Sequence, residues 1–191
     1  MIKEMSGYAL NAALPVTPGT IGIHINQFGF RLYKEQQFGI GYAMPLGKKL
    51  NAGAHLHYSI ERAPQYSRTF VTAEAGLLWQ IAERLGIGAN VVNPTGKGVK
   101  LYTMGLGYEA SPQVLIEAEW RKEEGQPLST WIDGIYRPLK RFWLLGGFAT
   151  QPVYQFAGVG FLLRNMRISI TGSRHQLLGF TPGIALTWAA E

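Results

Sequence analysis

The chain has 191 residues, no cysteine and a net charge of +6. That length suffices for one domain with a sizeable core, and the missing cysteines exclude a disulfide framework and thiolate chemistry. Apolar residues make up 47% of the chain, yet mean hydropathy is +0.01, and no apolar run approaches the roughly 18 residues of a membrane helix.

In chain order, Tyr8 to Pro15 reads as a first strand and Thr17-Pro18-Gly19 as a turn. Thr20 to Phe30 follows, with Ile21, Ile23 and Ile25 on one face. Its phase slips at Asn26-Gln27, where a β-bulge is expected to return Phe28 and Phe30 to the apolar face. Arg31 to Glu35 reads as a charged loop. The clearest pattern comes next. Phe38, Ile40, Tyr42, Met44 and Leu46 alternate with Gly39, Gly41, Ala43 and Pro45. After a break at Gly47-Lys48-Lys49, Leu50, Ala52, Ala54, Leu56, Tyr58 and Ile60 alternate with Asn51, Gly53, His55, His57, Ser59 and Glu61. Alternate side chains on a strand point to opposite faces, so each strand has one wholly apolar face, and the short break makes a hairpin. Alternation sustained for about ten residues per strand is the pattern of a transmembrane β-barrel.

Ala63 to Arg68 reads as a loop. Val71, Ala73, Ala75, Leu77 and Trp79 form the next apolar face, opposite Thr72, Glu74, Gly76 and Gln80. Leu85, Ile87, Ala89 and Val91 return opposite Gly86, Gly88 and Asn90, and Asn93 to Gly98 is a clear loop. Tyr102, Met104, Leu106 and Tyr108 alternate with Thr103, Gly105, Gly107 and Glu109; Val114, Ile116, Ala118 and Trp120 alternate with Leu115, Glu117, Glu119 and Arg121. Glu123 to Pro127 is a loop. Strands over 128–136, 142–149, 153–163 and 167–171 follow, with a turn at Arg137-Pro138. Gly172 to His175 reads as a loop and Gly183 to Trp188 as the closing strand. The expected fold is all-β: an antiparallel up-and-down meander barrel of about thirteen strands, in a single domain over the whole chain.

The breaks alternate in character. Gly47-Lys49, Ala82-Arg84, Ser111-Gln113, Arg137-Lys140 and Asn165-Met166 are compact, whereas Arg31-Glu35, Ala63-Arg68, Asn93-Gly98, Glu123-Pro127 and Gly172-His175 are often longer. Outer-membrane barrels have short periplasmic turns and longer outer loops. On that assignment the first and last strands run the same way, so an upstream strand is expected to complete an even-numbered barrel of about fourteen. Met1-Ile2-Lys3-Glu4 opens no signal peptide, which fits an expected upstream portion.

Four further stretches stand out: Ile2-Lys3-Glu4-Met5-Ser6, Ala13-Leu14-Pro15, Ile25-Asn26-Gln27-Phe28-Gly29 and His175-Gln176-Leu177-Leu178-Gly179-Phe180-Thr181-Pro182. In these the chain resembles a family of outer-membrane β-barrels common in Bacteroidetes, related to the type IX secretion shuttle barrel and, more remotely, to the long-chain fatty-acid transporters. Gly183, Leu186 and Trp188 look like the closing signal read by the barrel-assembly machinery. In such families the segment matching Met1 follows a signal peptide, an Asn-Pro-Ala-Gly-Leu stretch and an early strand. The resemblance therefore also implies an upstream portion, including any plug.

Several side chains are candidates for a role. Trp79, Tyr108, Phe142 and Trp188 near expected periplasmic ends, and Tyr58, Tyr102 and Trp120 near outer ends, read as aromatic girdles, because an apolar ring with a polar handle favours the interface. The bland alternative is ordinary sheet packing. His55-x-His57-x-Ser59 places three polar groups on one face. Alternate histidines can share a metal, with Glu74 the obvious neighbour for a third ligand. A polar ladder lining a wet lumen is the preferred reading, with no metal and no cofactor. A serine hydrolase would need Ser59, a histidine and an orienting partner in register. Asn90, Glu74, Glu117, Glu119 and Arg121 share the inward parity, where such groups pair across strands or select charge in a pore. Arg121 is expected to need an acidic partner on another strand. Trp131, Trp143, Leu145, Tyr154 and Phe156 share no face with a clear polar set, so this arc reads as apolar on both sides, covered by a partner or lined for a plug or lipid-like ligand. No phosphate loop, dinucleotide fingerprint or paired-carboxylate signature is present.

These readings converge on a non-enzymatic barrel in the outer membrane of a Gram-negative bacterium. Its expected partners are membrane lipid and the barrel-assembly machinery. It would bind or pass a hydrophobic small molecule; the alternative is a structural or secretion-associated barrel that holds a secreted protein at its outer loops. A nucleic-acid partner is not expected, because the basic residues fall mostly at turns and not on one surface with interleaved aromatics. A third class, a soluble lipocalin-like binder, would need no detergent. Ile40, Tyr42, Leu56, Ala75, Leu77, Ile87, Leu106 and Ile116 are expected to face lipid, and arginine at Ser59 or Asn90 to be far milder than at Leu56.

Overall fold

A computed structural model describes residues 5–94, 98–176 and 179–189. They form thirteen β-strands. In order these are β1 (Ser6–Val16), β2 (Gly19–Phe30), β3 (Tyr33–Pro45), β4 (Leu50–Ala63), β5 (Tyr66–Ala82), β6 (Leu85–Val92) and β7 (Leu101–Ser111). They continue with β8 (Val114–Glu123), β9 (Ser129–Leu139), β10 (Phe142–Thr150), β11 (Val153–Leu163), β12 (Met166–His175) and β13 (Gly179–Trp188). Each strand pairs with its sequence neighbours in one sheet of order β1 to β13. The all-β antiparallel meander read from the alternation is the fold observed. The motif residues Ile2, Lys3, Glu4, Leu177 and Leu178, and Thr95 to Lys97 of the expected loop, lie outside the described residues.

The chain divides into two compact units. One holds the residues up to Gln80 with Gly88–Thr103, the other Ile81–Ile87 with Met104 onward. In the first, ladders run without interruption from β1 to β5. One row across a face is Leu10, Ile25, Phe38, Tyr58 and Val71, all exposed. The opposite face carries the row His24, Gly39, His57 and Thr72 and, beside it, Gly22, Gly41, His55 and Glu74. In the second unit the row Tyr136, Leu144, Val159, Ile170 and Ile184 lies on one face. The other face carries Glu117, Asp133, Gly147, Phe156 and Ser173.

Burial is inverted relative to a water-soluble domain. Among the described residues Ala149 is the buried hydrophobic side chain, while His24, His57, Ser59, Asn93 and Ser129 are buried polar ones. Large apolar side chains are exposed along nearly every strand, including Leu56 at 55% and Ile184 at 76%. A water-soluble fold buries such side chains and exposes polar ones.

Several expected boundaries are corrected. No bulge forms at Asn26-Gln27: the ladders to β1 and β3 continue through Phe28. Phe28 keeps the polar-face parity, and a Cβ at its partner Gly7 would lie 3.6 Å from the Phe28 ring. The charged stretches Arg31-Glu35 and Ala63-Arg68 are not loops. Only Arg31-Leu32 and Pro64-Gln65 turn, and Lys34, Glu35, Glu61 and Arg62 extend paired strands. Gly172 to His175 likewise belongs to β12 and pairs with Gly179 to Pro182 of β13, so the closing strand begins before Gly183. Arg137-Pro138 lies within β9, where the register to β10 shifts between Phe142 and Leu144; the turn is Lys140-Arg141. Proline has no N–H to give the ladder, which suits it to such an irregularity.

Candidate functional site

Three histidines meet on the polar face of the first unit. His24 on β2 and His57 on β4 stand in one row on either side of Gly39 on β3. Strands two apart are separated by nearly 10 Å, so their side chains meet only if the strand between them presents nothing. Gly39 meets that need, since a Cβ there would overlap the His24 ring. His55 lies one row further along β4, opposite Gly41, where a Cβ would come within 2.7 Å of the His55 ring.

His24 Nδ1 lies 3.3 Å from His55 Nε2, and His24 Nε2 lies 3.3 Å from His57 Nδ1. Ring centroids are 4.3 to 4.9 Å apart at interplanar angles of 49° to 73°, so the rings converge by their edges and do not stack. Two ring nitrogens also have partners beyond the cluster. His57 Nε2 is 2.7 Å from Glu74 Oε2, and His24 Nε2 is 3.1 Å from Gln37 Oε1. Asn90 donates its amide to the second Glu74 oxygen, and Gln37 donates to Ser59 at 3.3 Å. A carboxylate accepts only, so it selects the tautomer with hydrogen on His57 Nε2 and leaves Nδ1 as a lone pair facing the other rings. One ligand atom from each histidine lies within 4.8 Å of the others, a grouping that could hold a metal ion.

Sequence parity placed His55, His57, Glu74 and Asn90 on one face, and here they belong to one hydrogen-bonded group. His24 was missed. Its signal was present, because it alternates with Ile21, Ile23 and Ile25; recognising the contact also required the unbroken register of β2 to β4. Ser59 is 1% exposed and serves as an acceptor for Gln37.

A second constellation lies in the other unit. Arg121 pairs with Glu119 on its own strand, β8, correcting the expectation of a partner on another strand. Its guanidinium also stands 4.5 Å from the Trp131 ring centroid. Trp131 lies 5.5 Å from Tyr154, and Tyr154 6.1 Å from Phe156. Glu117 is opposite Asp133, and Glu119 opposite Trp131. Trp131, Tyr154 and Phe156 thus share the face of the charged residues, correcting the reading that these aromatics keep company with no polar set. Trp143 lies across Gly160, where a Cβ would overlap its indole. Tyr58, Trp79, Tyr102, Tyr108, Trp120 and Trp188 are exposed, from 41% at Trp120 to 72% at Trp188.

No family model and no curated protein matches this chain. Solved structures do match. A triple mutant of the porin of Rhodopseudomonas blastica aligns with a TM-score of 0.55 at 7% identity, over 94% of this chain and 88% of that one. A structure described as "Asymmetric conductivity of engineered proteins" aligns at 0.54 and 7% identity, over 95% and 89%. At such identity the likeness shows the fold, an up-and-down porin-type β-barrel meander.

Proposed function

We propose that this chain forms the wall of a β-barrel in the outer membrane of a Gram-negative bacterium. The observation that carries the reading is the inverted burial: exposed apolar rows on one face and buried histidine and serine on the other. Lipid accepts the first arrangement, and a closed barrel satisfies every backbone group in hydrocarbon. On this reading the histidine face lines a wet interior, and Tyr58, Trp79, Tyr102, Tyr108, Trp120 and Trp188 mark the two interfaces.

The finer reading is a non-enzymatic barrel that binds or passes a hydrophobic small molecule. It is supported by the patch of Trp131, Tyr154 and Phe156 beside the Arg121–Glu119 ion pair, which offers apolar area for the body of an amphiphile. It also accords with the resemblance to Bacteroidetes barrels. Two measurements test the two levels. The protein should sediment with membranes and need detergent for solubility; a monomer soluble without detergent overturns the membrane reading. In detergent, a brominated long-chain fatty acid should quench tryptophan fluorescence saturably, and Tyr154→Ala should weaken this about tenfold. Quenching that does not saturate, or is unchanged in that variant, overturns the ligand reading alone.

A further inference from the structure

We propose that His24, His55 and His57 form a binding site for a divalent transition-metal ion of the zinc, nickel or copper kind, with Glu74 and Gln37 as its orienting partners. Borderline ions of this class favour imidazole, and a tetrahedral ion with bonds of about 2.0–2.1 Å sets its ligand nitrogens about 3.3 Å apart. Within the donor set, His24 Nδ1 and His55 Nε2 stand at 3.3 Å, and one ligand atom from each of the three histidines lies within 4.8 Å of the others.

The surroundings match what a histidine ligand needs. A ligating imidazole donates its remote N–H to a carboxylate or carbonyl, which fixes the tautomer and the ring plane. Glu74 does this for His57, and the Gln37 side-chain carbonyl does it for His24. The lone pairs left over, on His57 Nδ1 and His24 Nδ1, together with His55 Nε2, form the donor set. Asn90 in turn holds Glu74. Gly39 and Gly41 supply the floor that lets ligands from β2 and β4 meet across β3. The ion would therefore clamp β2 to β4 across the strand between them. Three protein ligands leave a fourth position for water or an incoming anion.

The competing account is a chain of neutral imidazoles, each donating N–H to the next and ending on Glu74. The two accounts differ in what they predict for added metal. The test uses the untagged full chain, folded in detergent and titrated with Co(II), which reports tetrahedral imidazole coordination through its visible d–d absorption, and then with Zn(II) in competition. The expected result is one ion per chain with tetrahedral bands that Zn(II) abolishes. His24→Gln and His57→Gln should abolish them. His55→Gln, whose ring is less buried and whose loss endangers folding least, should lower affinity at least tenfold, and Glu74→Gln should weaken it about 10–100-fold. His175→Gln, which alters the fourth histidine of the chain, should leave binding unchanged. Absence of stoichiometric binding, or equal binding in His55→Gln and the unaltered protein, overturns the proposal. The bands report on the three histidines alone, so the outcome is independent of the ligand reading.

Discussion

Glu74 Oε2 sits 2.7 Å from His57 Nε2, and that contact joins β5 to a ring 9% exposed on β4. The carboxylate also receives the amide of Asn90. Removing it leaves a largely buried imidazole N–H and an amide without their acceptor. Glu74→Leu is expected to destabilise the folded protein by about 1–3 kcal/mol, the cost of unsatisfied buried polar groups. Glu74→Gln keeps an acceptor oxygen and should cost less. Urea unfolding of the detergent-folded variants checks the order. If Leu is as well tolerated as Gln, the contact carries no stability.

Gly39 is the floor of the same group. A side chain there occupies the volume of the His24 ring, so Gly39→Ala should cost about 1–3 kcal/mol by overpacking. The double variant Gly39→Ala with His24→Ala should recover part of that loss, because the ring that clashes is gone. A double-mutant cycle measures the coupling. Strict additivity of the two substitutions would mean that His24 does not lie over Gly39.

Much of this was legible in the sequence, because one number, the period of two, decides most of it. The apolar faces containing Ile40, Leu56 and Leu77 follow from alternation alone. What alternation does not give is where pairing stops. Lys34, Glu35 and Arg68 are charged and read as loop, yet the backbone pairs through them, since a strand may extend beyond its apolar band. Ser173 read as loop for its polarity, while in the ladder it faces Thr181 and donates its hydroxyl to that carbonyl. Phe28 invited a bulge, but its parity is accommodated over Gly7. Contacts two strands apart, such as His24 with His57, depend on exact register and on an intervening glycine, and no local pattern reports them. Nor does parity reveal burial: Ser59 and Asn90 share the polar face, but Ser59 is buried and Asn90 holds Glu74. Arginine at either position is therefore expected to cost more than alternation alone suggests.

Arg121 is fixed on two sides, by Glu119 and by the Trp131 face. A guanidinium over an indole at an accessible site contributes about 0.5–1 kcal/mol. A cycle of Arg121→Met and Trp131→Leu should return a coupling of that size. Arg121→Lys should retain the charge but lose planar stacking, and so show a smaller coupling. Coupling indistinguishable from zero would mean that the two side chains are neighbours without mutual stabilisation.

Ile170 and Ser169 are consecutive on β12 and point to opposite faces. Ile170 is 51% exposed in the row with Val159 and Ile184, while Ser169 faces Gly160 and Ala185. At one depth they therefore sample the two faces with one substitution. If the Ile170 face meets lipid, Ile170→Arg should destabilise the protein folded in lipid vesicles by about 2–4 kcal/mol for a position near the midplane. Ser169→Arg should cost less, because its guanidinium enters the wet face beside Ala185, the space over Gly160 being held by the Trp143 indole. The same pair measured in short-chain detergent micelles, which let water and headgroups reach the strand more readily, should differ less. Equal losses at Ile170 and Ser169 in vesicles would remove the distinction between a lipid face and a wet face, and with it the basis for placing this sheet in a membrane.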